Sequence, residues 1–397
     1  MDHNTVKHRR IRSIDVFRGV TILLMIFVND VAGVRNIPAW LKHAPEGSPG
    51  MTAVDIVFPA FLFIVGLAIP FALARRKNKY PGRSLWPHVL LRTGSLLLIG
   101  LLMLNGPAVT SMHKAWWNVL MYAAVILFWT GYPGGENRKP FHNVLKWSGL
   151  ALLLFLLIVY RRGSGDDLTW IKTGWWGILG EIGFAYFLST AAFLLLEKRP
   201  HLLLTVPAFC VLLYIADRSG QLDFLGGIRD IFYIGSHFGM HTLITVSGLI
   251  CGRWIYSLRD RNHRQLMINM GVLALSLALG GYFLCGLYGI DKIAATPSWA
   301  MYSTSVCILF FMLIYGFMDT GGKSSGYAFF RPVAVNPLLA YLLHVMFIYV
   351  FQLIGISAFY SGELGAGIVG ILRSLLYTLF IYYVTRLLTN AGARLKL

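Results

Sequence analysis

The sequence is poor in charge. Of 397 residues only 13% are Asp, Glu, Lys or Arg, while 56% are apolar. A soluble fold cannot hide that much apolar surface, whereas repeated runs of about 20 apolar residues are what a bilayer core requires. Acidic residues are scarcer still, 17 against 35 basic ones. Cysteine is rare: Cys210, Cys251, Cys285 and Cys307 all fall within apolar segments. None has the spacing of a zinc site, and none lies in an aqueous loop where a disulfide would form, so they read as packing residues. The sequence shows no metal cage, phosphate-binding glycine loop or serine nucleophile elbow. A soluble domain, a long linker and a low-complexity tract are missing as well. No small-residue cleavage site follows the first apolar segment, which is therefore expected to be a retained helix rather than a signal peptide.

What is present is a series of apolar segments near 14–34, 52–74, 86–104, 115–132, 147–160, 175–196, 200–216, 237–252, 265–286, 298–318, 332–354 and 366–388. They predict an all-α, polytopic integral membrane protein with about 12 transmembrane helices. The weakest are 115–132, which carries Asn118 among several aromatics, and the short 147–160; without them ten or eleven spans remain. The chain reads as one domain, 1–397. Its parts are N-terminal helices over 14–132 with a polar loop at 35–55, a helical hairpin at 175–216 and C-terminal helices over 237–388.

With the N-terminus in the cytoplasm, the inward-facing segments hold 22 Lys and Arg and the outward-facing loops 9. That bias is the positive-inside signature and puts both termini in the cytoplasm. The net charge of +18 thus orients the protein in a lipid bilayer, and nucleic acid is not needed to explain it.

Ionisable and amide groups near membrane depth are costly unless they are paired or line a wet cavity. Here they gather by side. At the outer ends lie Asn29, Asp30, His43, Glu46, Asp55 and Lys292, with Thr296, Ser298 and Trp299 in the run TPSW. Asn336 sits towards the inner end of segment 332–354, with His344 near its middle, while Arg12, Asp15 and Arg18 mark the inner start of the first helix. Each has a plain structural reading. Thr52 and Asp55 fit a capping box. Asp15 and Arg18 fit an (i, i+3) ion pair. Asn336 fits a helix cap, His344 a hydrogen-bonded interior histidine, and His43 a solvated loop residue. Together they carry more, because a histidine beside a carboxylate is the minimum equipment for general-base chemistry.

The runs RIRSIDVFRGVTILLMIFVND and KHAPEGSPGMTAVDIVFPAFLFIVG resemble the catalytic region of the heparan-alpha-glucosaminide N-acetyltransferase family, in its bacterial form. GSHFGMHTLITVSGLICGRW, GIDKIAATPSWAMYSTSVCILFFMLIYGFMD and FFRPVAVNPLLAYLLHVMF continue the resemblance. The resemblance implies acetyl-CoA as a cytoplasmic acyl donor, no metal, and an amino sugar or related glycan as acceptor on the far side. It also implies a bacterial inner membrane and, since the family tends towards dimers, a homodimer. It maps the family's active histidine onto His43, the neighbouring asparagine and aspartate onto Asn29 and Asp55, and a later asparagine and histidine onto Asn336 and His344. The chain departs from the family at Pro45, Glu46 and Pro49, in the hairpin 175–216, and on the fourth span, where WWNVLMYAAVILFW lacks a basic motif.

On this reading His43 is the general base, or an acetyl carrier in a ping-pong route, Asp55 orients it and Asn29 donates to the oxyanion. Arg12, Arg18, Asn336 and His344 are the candidates for donor binding. Asp30, Glu46, Lys292, Ser298 and Trp299 are those for the acceptor. Two other classes fit the same composition. A secondary transporter would bind a sugar or protons at these polar groups, and an envelope scaffold would use them only to pack.

Overall fold

The computed structural model describes residues 11–45, 47–48, 50–131, 139–164, 167–258, 262–320 and 326–397. The chain is a helical bundle. In order the helices are α1 (Arg12–Val31), α2 (Val57–Lys79), α3 (Trp86–Asn105), α4 (Lys114–Trp129), α5 (Lys139–Val159), α6 (Gly177–Leu195), α7 (Val206–Arg218), α8 (Gly227–Phe232) and α9 (Thr242–Leu258). They continue as α10 (His263–Tyr288), α11 (Pro297–Tyr315), α12 (Tyr327–Val335), α13 (Pro337–Leu353), α14 (Ser357–Ser361) and α15 (Gly367–Asn390). A 3-10 turn, Ala53–Ile56, leads into α2, and a π-helical segment, Ile234–His241, leads into α9.

Each of the twelve apolar segments contains a helix. Among the described residues nine helices are long and apolar enough to cross a membrane. The other three segments have local reasons to differ. Helix α1 carries Arg12, Asp15, Arg18 and Asp30, and α4 has only 16 residues. The segment expected as one helix over 332–354 is broken: α12 and α13 meet at 77°. Pro337 lacks the N–H that would continue the ladder, and Asn336 ahead of it is non-helical at φ −132°, ψ 52°. The one sheet among the described residues is a two-residue ladder in which Thr130–Gly131 pairs antiparallel with Arg394–Leu395.

Glycine sets the tightest packing. Helices α2 and α9 run against each other backbone to backbone. A methyl group at Gly66 would overlap the Thr245 carbonyl, and one at Gly248 or Gly252 would overlap the carbonyl of Phe63 or Leu67. Small residues permit this approach in a bilayer, where packing replaces the hydrophobic effect between helices. Gly248→Leu is accordingly expected to destabilise the bundle by about 1–3 kcal/mol or more. Fluorescence-detected thermal unfolding in detergent checks this; an unchanged midpoint would contradict the packing. All four cysteines are free thiols, three of them buried.

The packing places the starts of α2, α6 and α11 and the π segment before α9 at one end of the bundle, where Trp299 reaches the Asp55 carbonyl, Phe58 meets His241 and His237 meets Glu181. The candidate site lies at that end.

Candidate active site

The approach to α2 builds the site. Thr52 and Asp55 form a reciprocal capping box at the 3-10 turn. The Asp55 carboxylate is 1% exposed and accepts hydrogen bonds through Oδ2 from the backbone N–H groups of Thr52 (3.0 Å) and Ala44 (3.2 Å), with the Thr52 hydroxyl oxygen 3.2 Å away. Its other oxygen, Oδ1, lies 2.7 Å from His43 Nδ1. The capping role and the pairing with His43 therefore coexist, one carboxylate oxygen serving each. The Thr52 hydroxyl donates to the Lys42 carbonyl at 2.7 Å, tying the chain just before His43 to the same turn.

The ring of His43 is 38% exposed, so its outer edge is open while its inner edge is held. Lys292 arrives from the loop after α10. Its Nζ stands 3.0 Å from His43 Nδ1, 3.5 Å from Nε2 and 3.8 Å from Asp55 Oδ1. Nδ1 carries either a hydrogen or a lone pair, so its contacts with the carboxylate and the ammonium alternate. When Nδ1–H donates to Asp55, Nε2 is left as the base; when Lys292 donates to Nδ1, the ring hydrogen moves to Nε2. Burial pushes the Lys292 amine below the ordinary lysine range, against the opposing pull of Asp55 and Glu181.

The Lys292 loop is itself fixed. Asp291 accepts from the backbone N–H groups of Ile293 and Ala294, and its Oδ2 takes the N–H of Gly47 at 3.2 Å, joining this loop to the His43 loop. Ala295 adopts φ +47°, a left-handed conformation costly for a residue with a Cβ. Thr296 then caps α11, and the fully buried Trp299 donates from Nε1 to the Asp55 carbonyl at 3.4 Å.

The remaining candidates divide. Asn29 is half-buried on α1, and among the described residues its side chain makes no hydrogen bond. Asp30, one residue on, is held by Arg373 Nη2 at 2.9 Å and the Tyr360 hydroxyl at 2.7 Å. Ser298 is fully buried with its Oγ unpartnered, and Glu46 lies outside the described residues. Asn336 does not cap α13 with its side chain. Its amide donates to Thr389 Oγ1 and the Ala393 carbonyl and accepts from the Leu395 N–H, clamping the C-terminal strand. His344 is buried with Nδ1 unpartnered, and its carbonyl accepts from the Tyr377 hydroxyl at 2.5 Å.

At the opposite end a cavity of about 1500 Å³ opens between α1, α2, α12 and α15. Eight cations line it: Arg18, Arg75, Arg76, Arg92, Arg331, Arg386, Arg394 and Lys396, with Asp15 as the one acidic side chain among its lining residues. Arg18 and Asn336 are in this wall; Arg12 and His344 are not. The backbone N–H groups of Arg12 and Ser13 are taken by Asp319, which caps α1 from the far side of the chain. Arg75, Arg76, Arg331, Arg394 and Lys396 fall among the inward-facing cations counted in the sequence, whereas Arg92 and Arg386 lie within or at the edges of apolar segments.

Deeper in, the lining becomes apolar and includes Phe61, Ile64, Val65, Leu96, Leu179 and Ile182. From Asn78 to Phe61 it climbs α2 by about 25 Å at the α-helical rise. Asp55 lies six residues beyond Phe61, roughly 9 Å further along the same rise. Between them Phe58 is buried against His241.

One cluster was missed. Glu181 on α6 meets His237 and His241 of the π segment, with His237 Nε2 3.4 Å from Glu181 Oε1. Each partner is distant in sequence from the other element, and only the histidine pair at i, i+4 in GSHFGMHT gave a local sign of it.

Over 102 residues the chain is 37% identical to heparan-alpha-glucosaminide N-acetyltransferase of Homo sapiens and 34% identical to that of Mus musculus. Each match covers 24% of this chain and 14% of the relative, so this chain spans a small part of the length of the relatives it matches. Residues 10–225 match the family described as a domain of unknown function (DUF5009). That is more than half of the chain, which therefore belongs to the DUF5009 family.

Proposed function

We propose that this protein is a transmembrane acyltransferase. It moves an acetyl group from cytoplasmic acetyl-CoA to the amine or hydroxyl of an amino sugar or related glycan on the outer face of a bacterial plasma membrane. Twelve spans and cytoplasmic termini go with this reading. The observation that carries it is the alignment along α2 of a basic cavity at one end and the His43–Asp55 pair at the other. The similarity to an N-acetyltransferase over a quarter of the chain supports the same class.

The wall chemistry fits the donor. Guanidinium groups suit phosphates through bidentate contacts, and the apolar upper lining suits an uncharged pantetheine arm. The volume exceeds the roughly 300–1,000 Å³ of sites for drug-sized ligands. At the outer end, Asp55 holds Nδ1–H and leaves His43 Nε2 to take the proton of the attacking amine or hydroxyl. The nucleophile bonds to the thioester carbonyl, the C–S bond breaks, and His43 returns its proton to the thiolate. Asn29, with its free amide, is the candidate donor to the carbonyl oxygen. Lys292 must swing away from the ring before the acceptor occupies its outer edge. The route through an acetylated His43 uses the same unprotonated nitrogen, Nε2, as nucleophile.

Purified protein in liposomes, given labelled acetyl-CoA and glucosamine, is expected to transfer label to the sugar. Glucosamine accumulation without acyl donor, and no acetylated product, would instead favour a transporter. The cavity makes a second expectation. Removing Arg331 and Arg386 together (both to Ser) should raise the KM for acetyl-CoA about a hundredfold or more, since each charge-assisted hydrogen bond contributes about 1.5–3 kcal/mol. The kcat at saturating donor should stay within about twofold, because neither residue lies near the reacting atoms. A kcat loss with unchanged KM would contradict the placement of the donor.

A further inference from the structure

The cluster of Glu181, His237 and His241 has no part in the acyl-transfer scheme. We propose that these three side chains bind one divalent transition-metal cation of the zinc class. Two elements supply the ligands: the start of α6 gives Glu181, and the π-helical segment Ile234–His241 gives both histidines. One ligand atom from each lies within 4.8 Å of the others.

The spacing is close to that of a bound site. Ligand atoms about 2.0–2.2 Å from a tetrahedral ion stand roughly 3.3–3.6 Å apart. His237 Nε2 and Glu181 Oε1 are already 3.4 Å apart, and the two distances to the His241 nitrogen lie within 4.8 Å. The two imidazoles lie nearly parallel, with centroids 5.5 Å apart, close enough for both rings to reach one ion. Two imidazole nitrogens and one carboxylate oxygen suit zinc-class cations rather than calcium or magnesium, which prefer all-oxygen shells. Three protein ligands leave a fourth position open.

The surroundings argue for a ligand. The Glu181 side chain is 14% exposed, and among the described residues its ion-pairing partner is the buried His237. A carboxylate so enclosed is costly without a positive charge nearby, and among the described residues the Lys292 ammonium acts on it from beyond ion-pairing distance. His237 and His241 are 1% and 4% exposed, and each has a buried Nδ1 with no hydrogen-bond partner. The backbone around them is by contrast satisfied and rigid: Thr242 and Thr245 hydroxyls donate to the carbonyls of His237 and His241, both at 2.9 Å. Aromatic rings wall the cluster, with Phe184 stacked on His237 at 5.7 Å and Phe58 edge-on to His241 at 5.3 Å. The atoms that face each other across the cluster are His237 Nε2 and Glu181 Oε1, while the unpartnered His237 Nδ1 is the other nitrogen of that ring. π-Helical segments in helical proteins occur frequently at functional sites, since they re-aim side chains at the expense of backbone regularity.

The site backs onto the outer end. Trp299 lies edge-on to His241 at 6.2 Å and donates to the Asp55 carbonyl. The metal proposal stands independently of the acyl-transfer reading, because its measurement needs no substrate.

The test uses full-length protein in detergent, freed of any tag, stripped with chelator, loaded with Zn2+ and gel-filtered before elemental analysis. About one Zn2+ per chain should remain, and Co2+ loading should give the intense visible bands of a four-coordinate ion. His237→Ala/His241→Ala should fall to background, and Glu181→Gln should weaken retention about tenfold or more. Should the double variant fail to fold, wild-type protein decides alone. Stripped wild type that retains no Zn2+ after loading and shows no Co2+ bands overturns the proposal, as does equal retention by a folded double variant.

Discussion

Replacing His43 by alanine is expected to lower acyl transfer by about 10²–10⁴-fold with both substrates saturating, the usual contribution of a general base. The bundle should be left folded. The ring sits on a loop, is 38% exposed, and its hydrogen-bonding partners are Asp55 and Lys292. Asp55 keeps its two Oδ2 hydrogen bonds from backbone N–H groups in the variant, so the start of α2 stays capped. Asp55→Asn separates the two roles of that carboxylate. An amide can still accept from the Thr52 and Ala44 N–H groups through its oxygen, but it then presents N–H to the ring and favours the tautomer with hydrogen on Nε2. Activity should therefore fall while thermal stability changes by much less. His43→Ala protein retaining more than about a tenth of wild-type kcat would remove His43 from the chemistry.

The second large effect concerns stability. Arg373→Met is expected to destabilise the protein by about 3–5 kcal/mol, because it leaves a buried carboxylate without its cation. Arg373 and Asp30 are 7% and 4% exposed, joined at 2.9 Å and 343 residues apart in the chain. The guanidinium also donates to the carbonyls of Asp30 and Tyr360 and lies 4.2 Å from the centroid of the Tyr360 ring. Burial and the neighbouring Asp30 push the Tyr360 phenol above its usual range, so it stays a donor to Asp30 at any working pH. The double variant Asp30→Leu/Arg373→Met should recover much of the loss, since an apolar pair replaces a broken ionic one. Thermal unfolding of the single and double variants checks this. A double variant no more stable than Arg373→Met would mean that the ion pair is not what the single change disrupts.

How much of this was legible in the sequence depended on the range of each interaction. The twelve apolar runs announced helices because length and polarity are local properties. The pairing of His43 with Asp55 was close to legible, lying within one loop and one helix start. Lys292 was grouped with His43 by charge counting, but its contact with the His43 ring required the fold of the 289–296 loop. Asp30 was grouped with the outer polar residues, while its partner Arg373 was not among the candidates; nothing local joins residues so far apart. Pro337 signalled the break between α12 and α13, yet the apolar run continued through it and suggested one span. Glu181 stood in an apolar segment without comment, and only the folding of α6 onto the π segment brings it to the histidines.

The central claim is that a donor entering from the basic end meets an acceptor held at His43. Transfer across a sealed bilayer tests it most directly, in liposomes holding the protein in one orientation, with labelled acetyl-CoA on the side of the Arg331 cavity and glucosamine on the other. Acetylated sugar on the His43 side, abolished by His43→Ala, is the expected result. Product formed only when both substrates share one side, or no product in either arrangement, would contradict it.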